Sequence, residues 1–346
     1  MSRLLSRRHT WRWPRWVRRA LVAAAVLVSL AVLTAATGLR MEYAGHPAAA
    51  GRTRGHDALW LGHAWVDGRR TPADLSRLGR QVRATGIHDL YVHAGPLDHD
   101  GGLDLRLDPG AAHLLDDLRR VLPGVRVQAW LGDKVAHDGH PGLHLDDPAV
   151  RDRILDSADR ILDAGFQGVH LDLEPVASGD PGYLKLLDSV HALTARRGVP
   201  LSVAAPQIDP LPDLHAVSSG LFHHPKWWSQ AYFARAARRV DQIAVMAYDT
   251  SMPVRSLFGG YVAQQTELAL AVTPAATDLL IGLPAYHTDN MGHHASAETV
   301  AAAVRGARVA LARQDRSRTA FGLALYVDFT ATASDWAAYR AGWGNP

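Results

Sequence analysis

The sequence contains no cysteine. That excludes disulfides and thiolate chemistry, and it says little about compartment, because a domain of this size folds without staples. No Gly-x-Gly-x-x-Gly follows the first strand-like run, so the usual sign of a dinucleotide site is missing. There is no His-Glu-x-x-His and no internal repeat beyond a β-then-α unit. Basic charge is scarce where a nucleic-acid reader would need it. Arg3, Arg7, Arg8, Arg12, Arg15, Arg18 and Arg19 crowd residues 1–19 with no acid among them, so the rest is mildly acidic although the whole carries +3. Nucleic-acid binding needs a basic patch on the domain itself and is therefore not expected.

From Ala20 to Leu39 the chain is almost wholly apolar, broken only by Ser29, Thr34, Thr37 and Gly38. Twenty such residues can cross the hydrocarbon layer. The arginines before them predict a cytoplasmic N-terminus and an exported C-terminal domain, with Trp11, Trp13 and Trp16 at the interface. Cleavage at Thr34-Ala35-Ala36 is the rival reading; the run is long for a signal peptide, which favours an uncleaved anchor. Residues 1–19 then read as a basic cytoplasmic segment, 20–39 as the membrane or signal segment, 40–56 as a linker, and 57–346 as one large domain, expected to be monomeric.

Within that domain eight short apolar runs bounded by Gly, Pro or Asp have the character of buried parallel strands. They are Ala58–Trp65, Asp89–Gly95, Val125–Gly132, Gly168–Glu174, Pro200–Gln207, Gln242–Asp249, Asp278–Tyr286 and Gly322–Phe329. Helix-period segments alternate with them: Pro72–Thr85, Pro109–Leu122, Pro148–Ala164, Tyr183–Arg196, Lys226–Arg239, Tyr261–Val272, Ser296–Arg313 and Ser334–Gly342. Ser296 and Ser334 read as N-caps. Eight β-then-α units predict an α/β fold of the (β/α)8 TIM-barrel class, preceded by one transmembrane or signal-anchor helix.

In such a barrel the chemistry lies at the C-terminal strand ends. The fourth run carries the sharpest signal, Gly168-Val169-His170-Leu171-Asp172-Leu173-Glu174-Pro175. Alternate strand residues share a face, so Gly168, His170, Asp172 and Glu174 look into the barrel while Val169, Leu171 and Leu173 pack outward. Two acids on one buried face are costly unless used. Their Cα atoms would be about 6.5–7 Å apart on one side of a ligand, which does not suit the opposed pair of ordinary glycosidases. It suits one acid, Glu174, and one helper, Asp172, whose like charge raises the proton affinity of Glu174. The other strand ends supply Trp65, Trp130, Gln207, Tyr248, Asp249, Tyr286 and Tyr326. Aromatic rings and carboxylates at a barrel mouth fit a sugar. The adjacent Trp227 and Trp228 read either as core at the start of a helix or as a lip for glycan.

The histidines His137, His140 and His144, with Asp138 and Asp146, gather after the third run, and His223-His224 and His293-His294 are doublets. Their spacing is that of solvated loops, so no metal or other cofactor is expected.

These motifs resemble those of glycoside hydrolase family 18, the chitinase-like hydrolases, across most of the barrel. The family's Asp-Gly-x-Asp-x-Asp-x-Glu corresponds to Gln167-Gly168-Val169-His170-Leu171-Asp172-Leu173-Glu174, its Met-x-Tyr-Asp to Met246-Ala247-Tyr248-Asp249, and its Gly-Leu-Pro-x-Tyr to Gly282-Leu283-Pro284-Ala285-Tyr286. The resemblance implies substrate-assisted hydrolysis of a polysaccharide or oligosaccharide with N-acetylated sugars. Glu174 would be acid and then base, Asp172 would steer the 2-acetamido group, Tyr248 would hold its carbonyl, and Asp249 would bind nearby. Three departures stand out. Gln167 and His170 replace two signature aspartates, and Tyr326 replaces the family's Trp at the floor of the sugar site. At position 170 a histidine would either hydrogen-bond or stay cationic beside Asp172. A non-catalytic carbohydrate-binding barrel and a hydrolase of non-acetylated glycans remain alternatives; retention of Glu174 favours an enzyme.

Overall fold

Parallel strands covered on both faces must be apolar along their whole length, and the eight apolar runs become such strands. A computed structural model describes residues 14–47, 52–222 and 225–344. Its barrel strands are β1 (Asp57–Leu61), β2 (Ile87–His93), β3 (Arg126–Lys134), β4 (Val169–Glu174), β5 (Leu201–Ala205), β8 (Gln242–Val245), β9 (Asp278–Pro284) and β10 (Phe321–Tyr326). They pair in parallel in that order and close through β10 against β1. Every residue of β1, β5 and β8 is buried.

An outer ring follows the strands: α2 (Pro72–Val82), α3 (Ala111–Val121), α4 (Pro148–Asp163), α5 (Pro181–Arg197), α7 (Gln230–Ala237), α8 (Arg255–Leu270), α9 (Val300–Gln314) and α10 (Ala333–Gly342). Proline at the first turn starts α2, α4 and α5, where its missing N–H costs nothing. Two expected caps shift by a few residues. Thr299, not Ser296, caps α9, and Thr332, not Ser334, caps α10 in a reciprocal capping box with Asp335. Helix α8 starts at Arg255, a turn and a half before the expected Tyr261. At the α8–α9 contact, a Cβ on Gly306 would fall 2.2 Å from the Gly259 carbonyl, so glycine is what lets the two backbones meet.

The helix expected over Lys226–Arg239 begins later than Lys226, and the connection from β5 to it is not plain loop. That connection holds β6 (Gln207–Ile208), α6 (Leu214–Phe222) and β7 (Trp227–Trp228), with β6 and β7 forming a separate parallel pair. Trp227 and Trp228 are therefore strand residues, and α7 begins at Gln230 behind its Ser229 cap. Trp228 is fully buried, its indole donating to the Val176 carbonyl at 2.8 Å.

A buried polar chain fills the lower barrel. Arg126 and Gln128 donate to Asp89, and Gln128 and Tyr91 reach Gln242. Burial opposes the Asp89 charge, but bonds from His88, Arg126 and Gln128 and the Arg126 charge prevail and hold it down at about 2. At the same closed end Asp57 of β1 accepts from the Tyr339 hydroxyl at 2.6 Å, the Trp343 indole at 2.8 Å and the Leu323 amide at 2.7 Å.

The N-terminal helix α1 spans Arg15–Ala44, longer at both ends than the apolar run that announced it. The residues from 40 onward, expected as linker, begin as its last turn. That turn is docked: Arg305 donates to the Tyr43 and Gly45 carbonyls at 3.2 Å, and Arg313 pairs with Glu42. Arg3, Arg7, Arg8, Arg12, Trp11, Trp13, His223 and His224 lie outside the described residues.

Candidate active site

Strand β4 delivers its side chains as its alternation requires. Leu171 and Leu173 are buried against the outer ring, while Asp172 and Glu174 line a cavity of about 890 Å³ at the open end of the barrel. Tyr248, Asp249, Gln207 and Tyr326 line the same cavity, so β4, β6, β10 and the turn after β8 converge there.

Asp172 Oδ2 accepts the Trp130 indole N–H at 2.9 Å, and its Oδ1 is buried without a hydrogen-bond partner. Burial lifts the Asp172 pKa to about 6, against the pull of the Trp130 bond. Glu174 reaches the open cavity yet is ringed by protein. Burial, then the charges of Asp172 and Asp249, push it up to about 8. Both carboxyls are thus raised, and Glu174 is raised by its neighbours' charges as well as by burial. That added rise suits Glu174 to the part of the acid and Asp172 to that of its helper.

Tyr248 is buried, with its ring stacked on Tyr326 at 5.4 Å between centroids and edge-on to Tyr286 at 5.9 Å. Gly282 on β9 makes room: a Cβ there would lie 2.8 Å from the Tyr248 ring. Gln207 fixes the backbone, donating to the Tyr248 carbonyl at 2.5 Å and accepting from the Tyr261 hydroxyl at 2.8 Å, which in turn accepts from Trp227. Gln207 thus touches the cavity while its amide is engaged by protein. Asp249 takes a left-handed backbone, φ 55°, and accepts from the Tyr286 hydroxyl at 2.6 Å. The Tyr326–Val327 peptide is cis.

Two expected sugar contacts are corrected. Trp65 does not line the cavity; it is buried with its indole on Asp328 at 2.8 Å and Arg70 over its ring. His170 is fully buried beneath the site. Its Nε2 accepts from the Trp60 indole at 3.0 Å, so the proton sits on Nδ1, which donates to the Ser202 hydroxyl at 2.8 Å. Its ring stacks on Tyr91 at 3.8 Å. Burial drops its pKa to about 3, so it is neutral, and both nitrogens are committed away from substrate and from Asp172. Of the remaining aromatics, Trp130 and Tyr286 do not line the cavity but bond Asp172 and Asp249, which do, and Tyr326 lines its wall.

The cavity also gathers residues that pattern reading passed over or set aside. His99, Asp133, Lys134, His137, His140 and Lys226 line it. His99 pairs with Asp133 at 2.9 Å, and Lys226 donates to the Asp249 carbonyl at 3.1 Å. The long histidine-rich connection after β3 was the available signal for His137 and His140; Lys226 had none. His144 and Asp146 of the same connection stand apart, exposed and 3.9 Å from each other.

Among the described residues one cluster has the ligand types of a metal site, Asp249, His293 and Glu298, with atoms within 4.8 Å of one another. His293 is fully buried with Nδ1 3.4 Å from each carboxylate. Glu298 accepts from the Thr250 amide and hydroxyl, and Asp249 from Tyr286, so protein donors hold both acids.

No protein-family model matches the chain, and no curated protein does. Solved structures share its fold. The Bacillus megaterium QM B1551 spore cortex-lytic enzyme SleL aligns over 84% of this chain and 75% of its own at 14% identity and TM-score 0.58. A chitinase from Chromobacterium violaceum ATCC 12472 aligns over 82% and 98% at 16% identity and TM-score 0.56. The family 18 chitinase ChiB of Flavobacterium johnsoniae aligns over 81% and 90% at 14% identity and TM-score 0.52. At these identities the likeness is one of fold.

Proposed function

We propose that this chain is a divergent family 18 glycoside hydrolase that cleaves a polysaccharide containing N-acetylated sugars. The observation that carries the reading is the pair on β4: a carboxyl raised by burial and by its neighbours' charges, beside a second carboxylate with one oxygen free, both on an open cavity. Glu174 donates its proton to the glycosidic oxygen as the C–O bond breaks. Asp172 Oδ1 accepts the 2-acetamido N–H, turning the acetamido carbonyl oxygen toward the anomeric carbon, which it attacks. The Tyr248 hydroxyl steadies that oxygen. Glu174, now ionised, takes a proton from the water that opens the cyclic intermediate, and configuration is retained. No protein nucleophile is needed, which is why two acids on one strand suffice. Tyr326 offers the sugar a smaller floor than tryptophan would.

Helix α1 is long and apolar enough to cross a membrane. With Arg15, Arg18 and Arg19 at its start, it acts in this reading as an uncleaved signal anchor that holds the barrel outside the cytoplasm.

The test is release of reducing ends from acetylated oligosaccharides by the wild type and by Glu174→Gln. The variant should fold and bind but release none; undiminished release would end the hydrolase reading, and binding without turnover by the wild type would favour a carbohydrate-binding barrel.

A further inference from the structure

The path of α1 over the barrel fixes which end of the molecule meets the membrane. Its Leu39 carbonyl lies against Gly260, in the second turn of α8, and the Tyr43 ring lies against Gly259. Gly45 lies against Val309 and Arg313, in the last turns of α9. Residues 52–54 then bond the Ala341, Trp343 and Arg316 carbonyls, where α10 ends and β10 is about to begin. Helices α8 and α9 both run from the open end of the barrel to the closed end, because each follows a strand. Helix α1 therefore descends in the same sense, and its upstream part extends past the open end. Every residue from Arg18 to Ala35 is exposed. Residues 15–35 would measure about 30 Å, the thickness of a hydrocarbon layer. The bilayer would begin where the barrel rim ends.

A second observation points the same way. Among the described residues outside α1, the exposed large apolar side chains are Leu107, Leu211, Val217, Val254, Met291 and Phe329. All six lie on connections from a strand to its outer helix, hence on the open end; Met291 is 95% exposed. The closed end has none among the described residues. Apolar side chains confined to one end, on the side toward which a membrane-length helix projects, fit the interfacial zone of a bilayer.

We infer that the open end of the barrel is seated on the bilayer that α1 crosses, and that the substrate is a glycan carried at that membrane surface. This rests on the anchor and hydrolase readings above. The six side chains dip into the headgroup layer, and the cavity holding Glu174 opens toward the membrane plane.

The absence of cysteine makes the test clean. Full-length Met291→Cys, Phe329→Cys and, at the closed end, Ser317→Cys are labelled with a fluorophore and reconstituted into vesicles containing brominated lipid. Quenching at 291 and 329 but not 317 is expected. Quenching at 317, or at no position in protein that floats with the vesicles, overturns the orientation. Protein that does not float strikes the anchor reading instead. An acetylated oligosaccharide on a lipid tether should be cleaved at least tenfold faster in the enzyme's own vesicles than in separate enzyme-free vesicles. Equal rates overturn the surface-substrate inference, whereas no cleavage of tethered or free sugar strikes the hydrolase reading.

Discussion

Trp130 donates its indole N–H to one oxygen of Asp172 at 2.9 Å and leaves the other oxygen without a partner. One strand thereby orients the helper carboxylate delivered by the next, since Trp130 sits beside His170 in register and Asp172 beside Gly132. The bond also opposes the rise that burial imposes on Asp172. Trp130→Phe keeps an aromatic ring and removes the donor. The acid limb of the kcat/KM profile should move to higher pH, and kcat should drop about tenfold, matching ~1.4 kcal/mol for a hydrogen bond to a charged group. An unmoved acid limb would show that Trp130 only packs.

Glu174 predicts two pH effects, and both run downhill as pH rises. Activity needs it protonated, so turnover should fall as pH rises through about 8. Its folded pKa stands above the ordinary 4.5, so between those values the unfolded chain releases a proton that the folded one keeps, and stability declines as pH rises through that window. Glu174→Gln should therefore melt higher than wild type at pH 7.5 and about equally at pH 4. Equal melting temperatures at both would contradict a raised carboxyl.

His170 links Trp60, Ser202 and the face of Tyr91 in the barrel interior. Truncation leaves a cavity and an unpaired indole N–H, so His170→Ala should lose about 3 kcal/mol in urea unfolding. The wild-type ring should stay neutral well below pH 6, visible as unchanged imidazole shifts from pH 7 to 5.

Gly282→Ala puts a methyl 2.8 Å from the Tyr248 ring and 2.9 Å from the Val245 carbonyl. The ring must move, at a cost of about 1–3 kcal/mol. KM should rise and kcat fall together, with the fold intact by circular dichroism; unchanged kinetics would remove Tyr248 from the site.

The barrel was legible because strands buried on both faces spell themselves as short apolar runs, and because Asp172 and Glu174 break that spelling with period two. Single residues fared worse where their partners are remote in sequence. Trp65 looked like a sugar platform, but its N–H had a use in Asp328, 263 positions away. His170 looked like a neighbour of Asp172, but it is claimed by Trp60, 110 positions back. The doublet Trp227-Trp228 sits in an inserted strand pair whose two-residue length leaves no periodicity to read. Ser296 and Thr299 are both good caps by residue type, and Thr299 is the one used.

Asp57 opens the first strand, yet the hydroxyl and indole that satisfy it come 282 and 286 positions later, from Tyr339 and Trp343. Until α10 arrives, a growing chain carries that acid exposed at an unclosed seam between β1 and β10. In the anchor reading proposed above, the chain would thus reach the far side of the membrane as an open, incomplete sheet. Completion is a late, single event, and a truncation that removed Trp343 would be felt at the opposite end of the sequence.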